Sequence, residues 1–474
     1  MGTTAKKWAL SVLAGCLMST PALAWENNWW PVFVRQEDSP SGRPDQTTSL
    51  GPIFSIKETD IQRIVSFRPF WTSFYDSRLD EKTGHILYPL INLKDTPTRD
   101  SDNAFLLVKY FKDDPRQRTY FHIFPFIFYN DLKTEPEESY FAFWPFGGVT
   151  KDRFWRDRIS FVLWPLYVRT VKGDETRYHF PYPFLRRLTG PHSRGGGFWP
   201  FYGHTERDND YEHTWAAWPF YYNYHDDLDK PVSYHRFGVL PFYSRETGDG
   251  LMSETFVWPF FGYTRETGPR IEYSENRYFW PFFVQGRGEE RYKNRWMPFY
   301  THEWRSSGFS GMKDEKHWYL WPVLKTRTLT EPGLVRERTS VLYFLFREER
   351  QHFADTVARK STLWPLYGYW NNGNGQQQFQ MLDPFTAFFP RNEKIRENWA
   401  PLFALYQWDQ RQGERRHSLL WNLVVWEKGE DGMKSFYAGP LFEWVNDDHW
   451  SVLKGLIGTK QDGEERRMRF FWKR

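Results

Sequence analysis

The densest group of side chains able to do chemistry is His204, Glu206, Asp208, Asp210, Glu212 and His213, followed one repeat later by His225, Asp226 and Asp227. Imidazole and carboxylate donors at this density suit a divalent cation. His204, Asp208, Asp210 and His213 are the candidate metal ligands. A charged cluster between two aromatic segments, here Tyr202 and Trp215, is also the ordinary form of a solvated turn, and that reading is favoured. Gly195-Gly196-Gly197 has the composition of a phosphate-cradling loop, but no Lys-Ser/Thr pair or helical pattern follows. It reads as a flexible turn. Cys16 is the one cysteine, so the folded part holds no disulfide and no thiol chemistry.

Lys82-Thr83-Gly84, Ser101-Asp102-Asn103 and Ser451-Val452-Leu453-Lys454 match, one by one, three motifs of the class A β-lactamases and penicillin-binding enzymes. In those enzymes S-x-x-K comes first and K-T-G last. Here the order is reversed, and S-x-x-K recurs at Ser310–Lys313. The chain contains no G-x-S-x-G, H-E-x-x-H, Walker A loop or G-x-G-x-x-G. The expectation is a non-enzymatic protein with no catalytic residue and no cofactor. Lys and Arg number 63 against 59 Asp and Glu, a net charge of +4 over 474 residues. Such a balance gives no electrostatic case for nucleic acid, and the missing phosphate motifs give none for a nucleotide.

The elements that must position any site are announced by aromatic residues. Phe, Tyr and Trp make up 20% of the chain, with 43, 27 and 26 copies. Trp-Pro occurs nine times, where scattered Trp and Pro would give about 1.7. The copies are Trp30-Pro31, Trp144-Pro145, Trp164-Pro165, Trp199-Pro200, Trp218-Pro219, Trp258-Pro259, Trp280-Pro281, Trp321-Pro322 and Trp364-Pro365. Weaker copies such as Pro69-Phe70-Trp71, Pro125-Phe126, Pro241-Phe242-Tyr243, Pro298-Phe299-Tyr300 and Pro440-Leu441-Phe442 fill the gaps, for a period of about 19.5 residues. Each period holds one turn signal, for example Gly248-Asp249-Gly250, Pro332-Gly333 or Asp431-Gly432.

One turn per period predicts one long strand per period. The fold class is therefore all-β: a single repeat architecture of roughly 20–24 long antiparallel meander strands, closed barrel-like or as stacked sheets. Proline inside the apolar segments argues against helices. It also removes a ladder donor, so each strand is expected to kink at Trp-Pro. The competing reading starts a strand at each proline. Around the prolines both faces are apolar, as in Phe256-Val257-Trp258-Pro259-Phe260-Phe261. This predicts burial of Trp144, Pro145, Trp164, Pro165, Trp199, Pro200, Trp218, Pro219, Trp258, Pro259, Trp280, Pro281, Trp321, Pro322, Trp364 and Pro365 as the repeat core. Trp304, Trp370 and Trp408, outside the register, are the candidates for exposure.

Residues 1–24 have the form of a secretory signal peptide. Lys6 and Lys7 are the basic region, Trp8 to Met18 the apolar region, and Ala22-Leu23-Ala24 the cleavage site. Residues 25–474 then form one continuous aromatic β-repeat domain. In a rival reading Leu13-Ala14-Gly15-Cys16 is a lipobox and Cys16 is lipidated.

The repeat resembles the uncharacterised exported aromatic-repeat proteins of Gram-negative bacteria, with WPLF- or WPFY-type strands, over the whole mature chain. A second, weaker similarity is to outer-membrane β-barrels, through the period, the signal peptide and the terminal Met468-Arg469-Phe470-Phe471-Trp472. The two-sided apolar centres depart from the alternation of a porin. These resemblances imply a β fold exported to the periplasm, outer membrane or cell surface. The expected function is a non-enzymatic envelope scaffold whose partners are outer-membrane lipid or surface glycan. The alternatives are an outer-membrane barrel handling apolar or amphipathic cargo, and a glycan-binding surface module.

Overall fold

A computed structural model describes residues 26–37, 43–105, 107–268, 271–462 and 465–471. Cleavage after Ala24 and lipidation of Cys16 both lie outside the described residues, as does Trp472. Strands make up 63% of the structure and helix 3%. All 45 strands, β1 (Glu26–Trp29) to β45 (Glu465–Phe470), belong to one antiparallel sheet, and each pairs with its successor in sequence, as in the run from Arg156 to Phe198. The all-β meander expected from the repeat is present.

Three features of that expectation are corrected. The strands number 45 and not 20–24, because each period of the sequence holds a hairpin of two short strands. The sheet is not closed into a barrel, and it is one sheet, not a stack. The strands do not kink at proline, because Trp-Pro lies in the turn that joins two strands, as at Trp144–Phe146, between strands Tyr140–Phe143 and Gly147–Arg153. Proline fits there because a turn needs no ladder donor from it. The Trp-Pro bonds are cis, with proline at the third turn position, and the turn closes with a bond such as Leu166 N to Leu163 O at 2.9 Å.

Every turn of the aromatic register joins an odd-numbered strand to the next even-numbered one, whereas the turn Phe154-Trp155 joins strand Gly147–Arg153 to strand Arg156–Val162 on the other side. Every polar turn, such as Gly248-Asp249-Gly250, joins an even-numbered strand to the next odd-numbered one. In a meander these two sets fall on opposite edges. The turns of the aromatic register therefore line one long edge, the rim, and the mostly polar turns line the other, which also carries Phe154-Trp155.

Neighbouring turns continue the ladder. Leu163 N donates to Phe146 O at 2.7 Å and Trp164 N to Pro145 O at 2.7 Å. The same pair of bonds recurs where Ala217 and Trp218 donate to Phe201 and Pro200, and where Val257 and Trp258 donate to Phe242 and Pro241. Proline has no N–H to satisfy, so every backbone donor of the turn 163–166 is engaged.

The only buried hydrophobic cluster named among the described residues is Phe128, Ala142, Phe161 and Val168, with Tyr140, Trp144 and Ile159 against it. The sheet face carrying Phe128, Phe161 and Val168 is termed the inner face. Its two ends meet. Arg416 donates to both carboxylate oxygens of Glu26 at 3.0 Å, and Asn28 Nδ2 donates to Asn422 O at 2.7 Å. A helix, α1 (Glu393–Phe403), interrupts the turn between strands Gln377–Met381 and Tyr406–Arg411. Asn392 caps it by accepting from Ile395 N at 3.1 Å. Its Trp399 Nε1 donates to Tyr88 O at 2.8 Å, and Asn398 Nδ2 bonds His85 Nδ1 at 3.0 Å. This helix departs from the all-β expectation, and it carries Pro401 inside it.

Candidate functional site

The expected metal ligands are not brought together. In the register Thr205 faces His213 and His204 faces Thr214, so His204 and His213 project from opposite faces of the sheet. His204 Nδ1 bonds Thr214 Oγ1 at 2.8 Å, and His213 Nε2 bonds Asp226 Oδ1 at 2.7 Å. Asp208 lies 3.6 Å from His192, and Asp210 lies 3.5 Å from Arg207, both in the turn region. Each candidate already has a different protein partner.

A tighter group was missed. His302 Nε2 and His317 Nε2 lie 2.9 and 3.3 Å from Glu315 Oε1, and Lys313 Nζ lies 2.8 Å from Glu315 Oε2. Lys313 chiefly, helped by the two imidazoles, holds the Glu315 carboxyl at about 2. With three donors on one carboxylate, this is a self-satisfied hydrogen-bond cluster. Counting outward from the hairpin turn would have paired His302 with His317. Of the β-lactamase-like residues, Ser451 Oγ and Lys454 Nζ both donate to Glu443, at 2.7 and 2.8 Å.

Gly195-Gly196-Gly197 is not a flexible turn. It lies within strand β19 (Ser193–Phe198). Gly197 faces Gly203, and Gly203 faces Trp215. A Cβ on Gly203 would stand 2.3 Å from Trp215 Cζ2, so the indole lies flat over bare backbone. The Arg186 guanidinium sits 5.4 Å above that ring.

The repeat-core residues sit on the rim and not in an interior, which corrects their expected burial. Trp164, Trp218, Trp258, Trp280 and Trp321 are between 39% and 46% exposed. Trp144, Trp199 and Trp364 are half-buried. Trp144 and Trp164 lie 5.6 Å apart between ring centroids, and Trp199 and Trp218 lie 5.9 Å apart. In three of the rim turns the Phe after proline is well exposed: Phe201, Phe242 and Phe299 are 63%, 72% and 66% exposed. Trp304, Trp370 and Trp408, expected outside, are half-buried. Trp304 stacks parallel to Tyr292 at 6.1 Å, and Arg415 covers Trp408 at 4.4 Å. The reversal has one cause: the two-sided apolar segment is a turn, so neither of its faces has a layer above it.

Against the inner face of β12 (Ile127–Leu132) to β22 (Tyr221–Asp226) lies a cavity of about 1000 Å³. On the rim side it is walled by Trp144, Trp164, Trp199 and Trp218. Further in stand Phe161, Val168, His179 and Arg186, which are cross-strand neighbours in that order. Arg177 and Arg156 line the cavity on the side away from the rim, Arg156 at the start of the strand Arg156–Val162. Asp152 takes φ 49° at the far end of its strand, after which Arg153 turns over the Phe128 ring at 4.7 Å and Arg156 lines the cavity. No Asp or Glu lines this cavity. Burial, then the Arg177 charge, lowers both Arg156 and Arg186. Burial, then the cations of Arg186, Arg177 and Arg156, pushes the His179 imidazole down to about 4.

No family model matches the chain, and no curated protein is detectably similar to it.

Proposed function

We propose that the chain is a non-catalytic envelope protein that docks on a lipid surface through its rim and presents the charged turn edge to water. The observation that carries this reading is the rim itself: a continuous series of exposed aromatic and aliphatic turns on one edge. Large exposed apolar patches mark interaction or membrane surfaces. Aromatic rings suit the headgroup zone, where one side is apolar and the other wet.

Backbone chemistry adds a second support. In lipid, an N–H without a partner costs several kcal/mol. The rim turns carry no such donor at 163–166, because neighbouring turns accept from Leu163 and Trp164 and proline replaces the remaining N–H. The rim can therefore enter an apolar layer without opening backbone bonds. No described helix is long and apolar enough to cross a membrane. An unclosed sheet with one apolar edge and one charged edge suits lying on a bilayer better than spanning it.

The test is co-flotation of the purified mature chain with uncharged phosphatidylcholine vesicles in high salt. The protein is expected to rise with the vesicles and to be released by detergent. Protein that stays at the bottom of the gradient while folded overturns the reading.

A further inference from the structure

The cavity behind β12–β22 combines three properties that the rim reading does not use. Its volume, about 1000 Å³, is at the upper end of small-molecule sites. Its polarity is graded, with tryptophans toward the rim and arginines away from it. Its charge is unbalanced. Glu175, beside the cavity, is already occupied by Arg177 at 3.1 Å, Tyr211 at 2.7 Å, Ser193 at 3.1 Å and Arg207 at 3.5 Å. Arg156 and Arg186 have no ion pair among the described residues. Arg186 Nε and His179 Nδ1 are buried without a hydrogen-bond partner.

Buried cations without counter-charges are costly unless something anionic completes them. Guanidinium groups match the flat, multi-oxygen geometry of phosphate and carboxylate. The tryptophan wall between them and the rim has no such requirement and favours an apolar chain. We propose that this cavity binds one anionic amphiphile, its phosphate or carboxylate head held by Arg156, Arg177 and Arg186 and its tail lying along Trp164 and Trp199 toward the rim. This deepens the lipid-surface reading and rests on it for the source of the ligand, since the mouth then opens at the bilayer.

Calorimetry of the mature chain with three probes below their micelle concentrations tests the proposal. Dodecyl phosphate supplies head and tail, inorganic phosphate the head alone, and dodecyl maltoside a tail with an uncharged head. Dodecyl phosphate is expected to bind once per chain, at least tenfold tighter than either of the others. The double variant Arg156→Gln/Arg186→Gln should weaken dodecyl phosphate at least tenfold and leave dodecyl maltoside and vesicle flotation unchanged. Thr170→Trp, which fills the cavity and keeps every charge, should abolish dodecyl phosphate binding. Equal affinity for dodecyl phosphate and dodecyl maltoside overturns the proposal, as does equal affinity for inorganic phosphate. An unchanged dodecyl phosphate affinity in either folded variant does the same. Loss of flotation with dodecyl phosphate binding intact would remove the rim reading and leave the cavity standing.

Discussion

Replacing Phe201, Phe242 and Phe299 together by Ser should uncouple the chain from lipid. Each ring follows a proline in a different rim turn, and 63–72% of each is open to solvent. A Phe side chain offers about 200 Å² for burial, so roughly 130 Å² per residue is available to lipid. At about 25 cal/mol per Å², complete transfer of each ring contributes about 3 kcal/mol. Insertion to headgroup depth realises about half of that, or about 1.5 kcal/mol, a factor of about ten per residue. The triple variant should therefore lower the vesicle partition coefficient by about a thousandfold, measured by flotation across a lipid titration. The companion variant is Phe309→Ser. Phe309 is 99% exposed, but it lies in the turn between Ser307 and Met312 on the charged edge. It should leave partitioning unchanged. A folded triple variant that partitions within twofold of the parent refutes the reasoning. So does an equal loss from Phe309→Ser, because the effect would then follow exposed Phe and not the rim.

Acid should loosen the contact between strand Glu81–Ile86 and α1. Burial, then Lys394, holds the His85 imidazole at about 4 against an ordinary 6.5. Between those values the unfolded chain binds the proton and the folded chain does not, so stability is full above about pH 6.5 and falls by about 3 kcal/mol as pH drops to about 4. Urea unfolding at stepped pH should show that fall, and His85→Gln should flatten part of it; an identical slope in the variant would contradict the assignment. Glu26→Ala strands the Arg416 guanidinium in a buried setting and should cost about 3–5 kcal/mol. Limited proteolysis should then release the first strands, whereas Glu26→Leu/Arg416→Met should restore protection. Gly203→Val drives a Cβ into the Trp215 indole and should cost about 1–3 kcal/mol, with Trp emission shifted to the red. Unaltered emission would mean that the indole does not lie on that glycine.

Short-range chemistry was readable. The period, the Gly/Asp turns and the dominance of strand over helix all follow from residues within a few positions of one another, and the β meander follows from them; the helix Glu393–Phe403, with Pro401 inside it, does not. The same local information misplaced the proline. An apolar Trp-Pro-Phe segment reads as a buried strand centre unless it is known whether a second layer covers it, and no short stretch of sequence carries that fact. His204 and His213 failed as a pair for a related reason: the hairpin register opposes Thr205, not His204, to His213, and their separation alone does not reveal that register. His302, Glu315 and His317 needed the hairpin register before their spacing meant anything.

The sequence by itself determined that this chain pleats back and forth at a fixed aromatic period with one Gly- or Asp-type turn in each, because turn chemistry is local. Only the tertiary structure decided that the aromatic turns gather on one edge, that Arg156, Arg177 and Arg186 share a cavity free of carboxylates, and that Glu26 meets Arg416 across 390 positions. Those outcomes depend on sheet curvature and on which face closes on itself. Both are summed over many strands and belong to no single one.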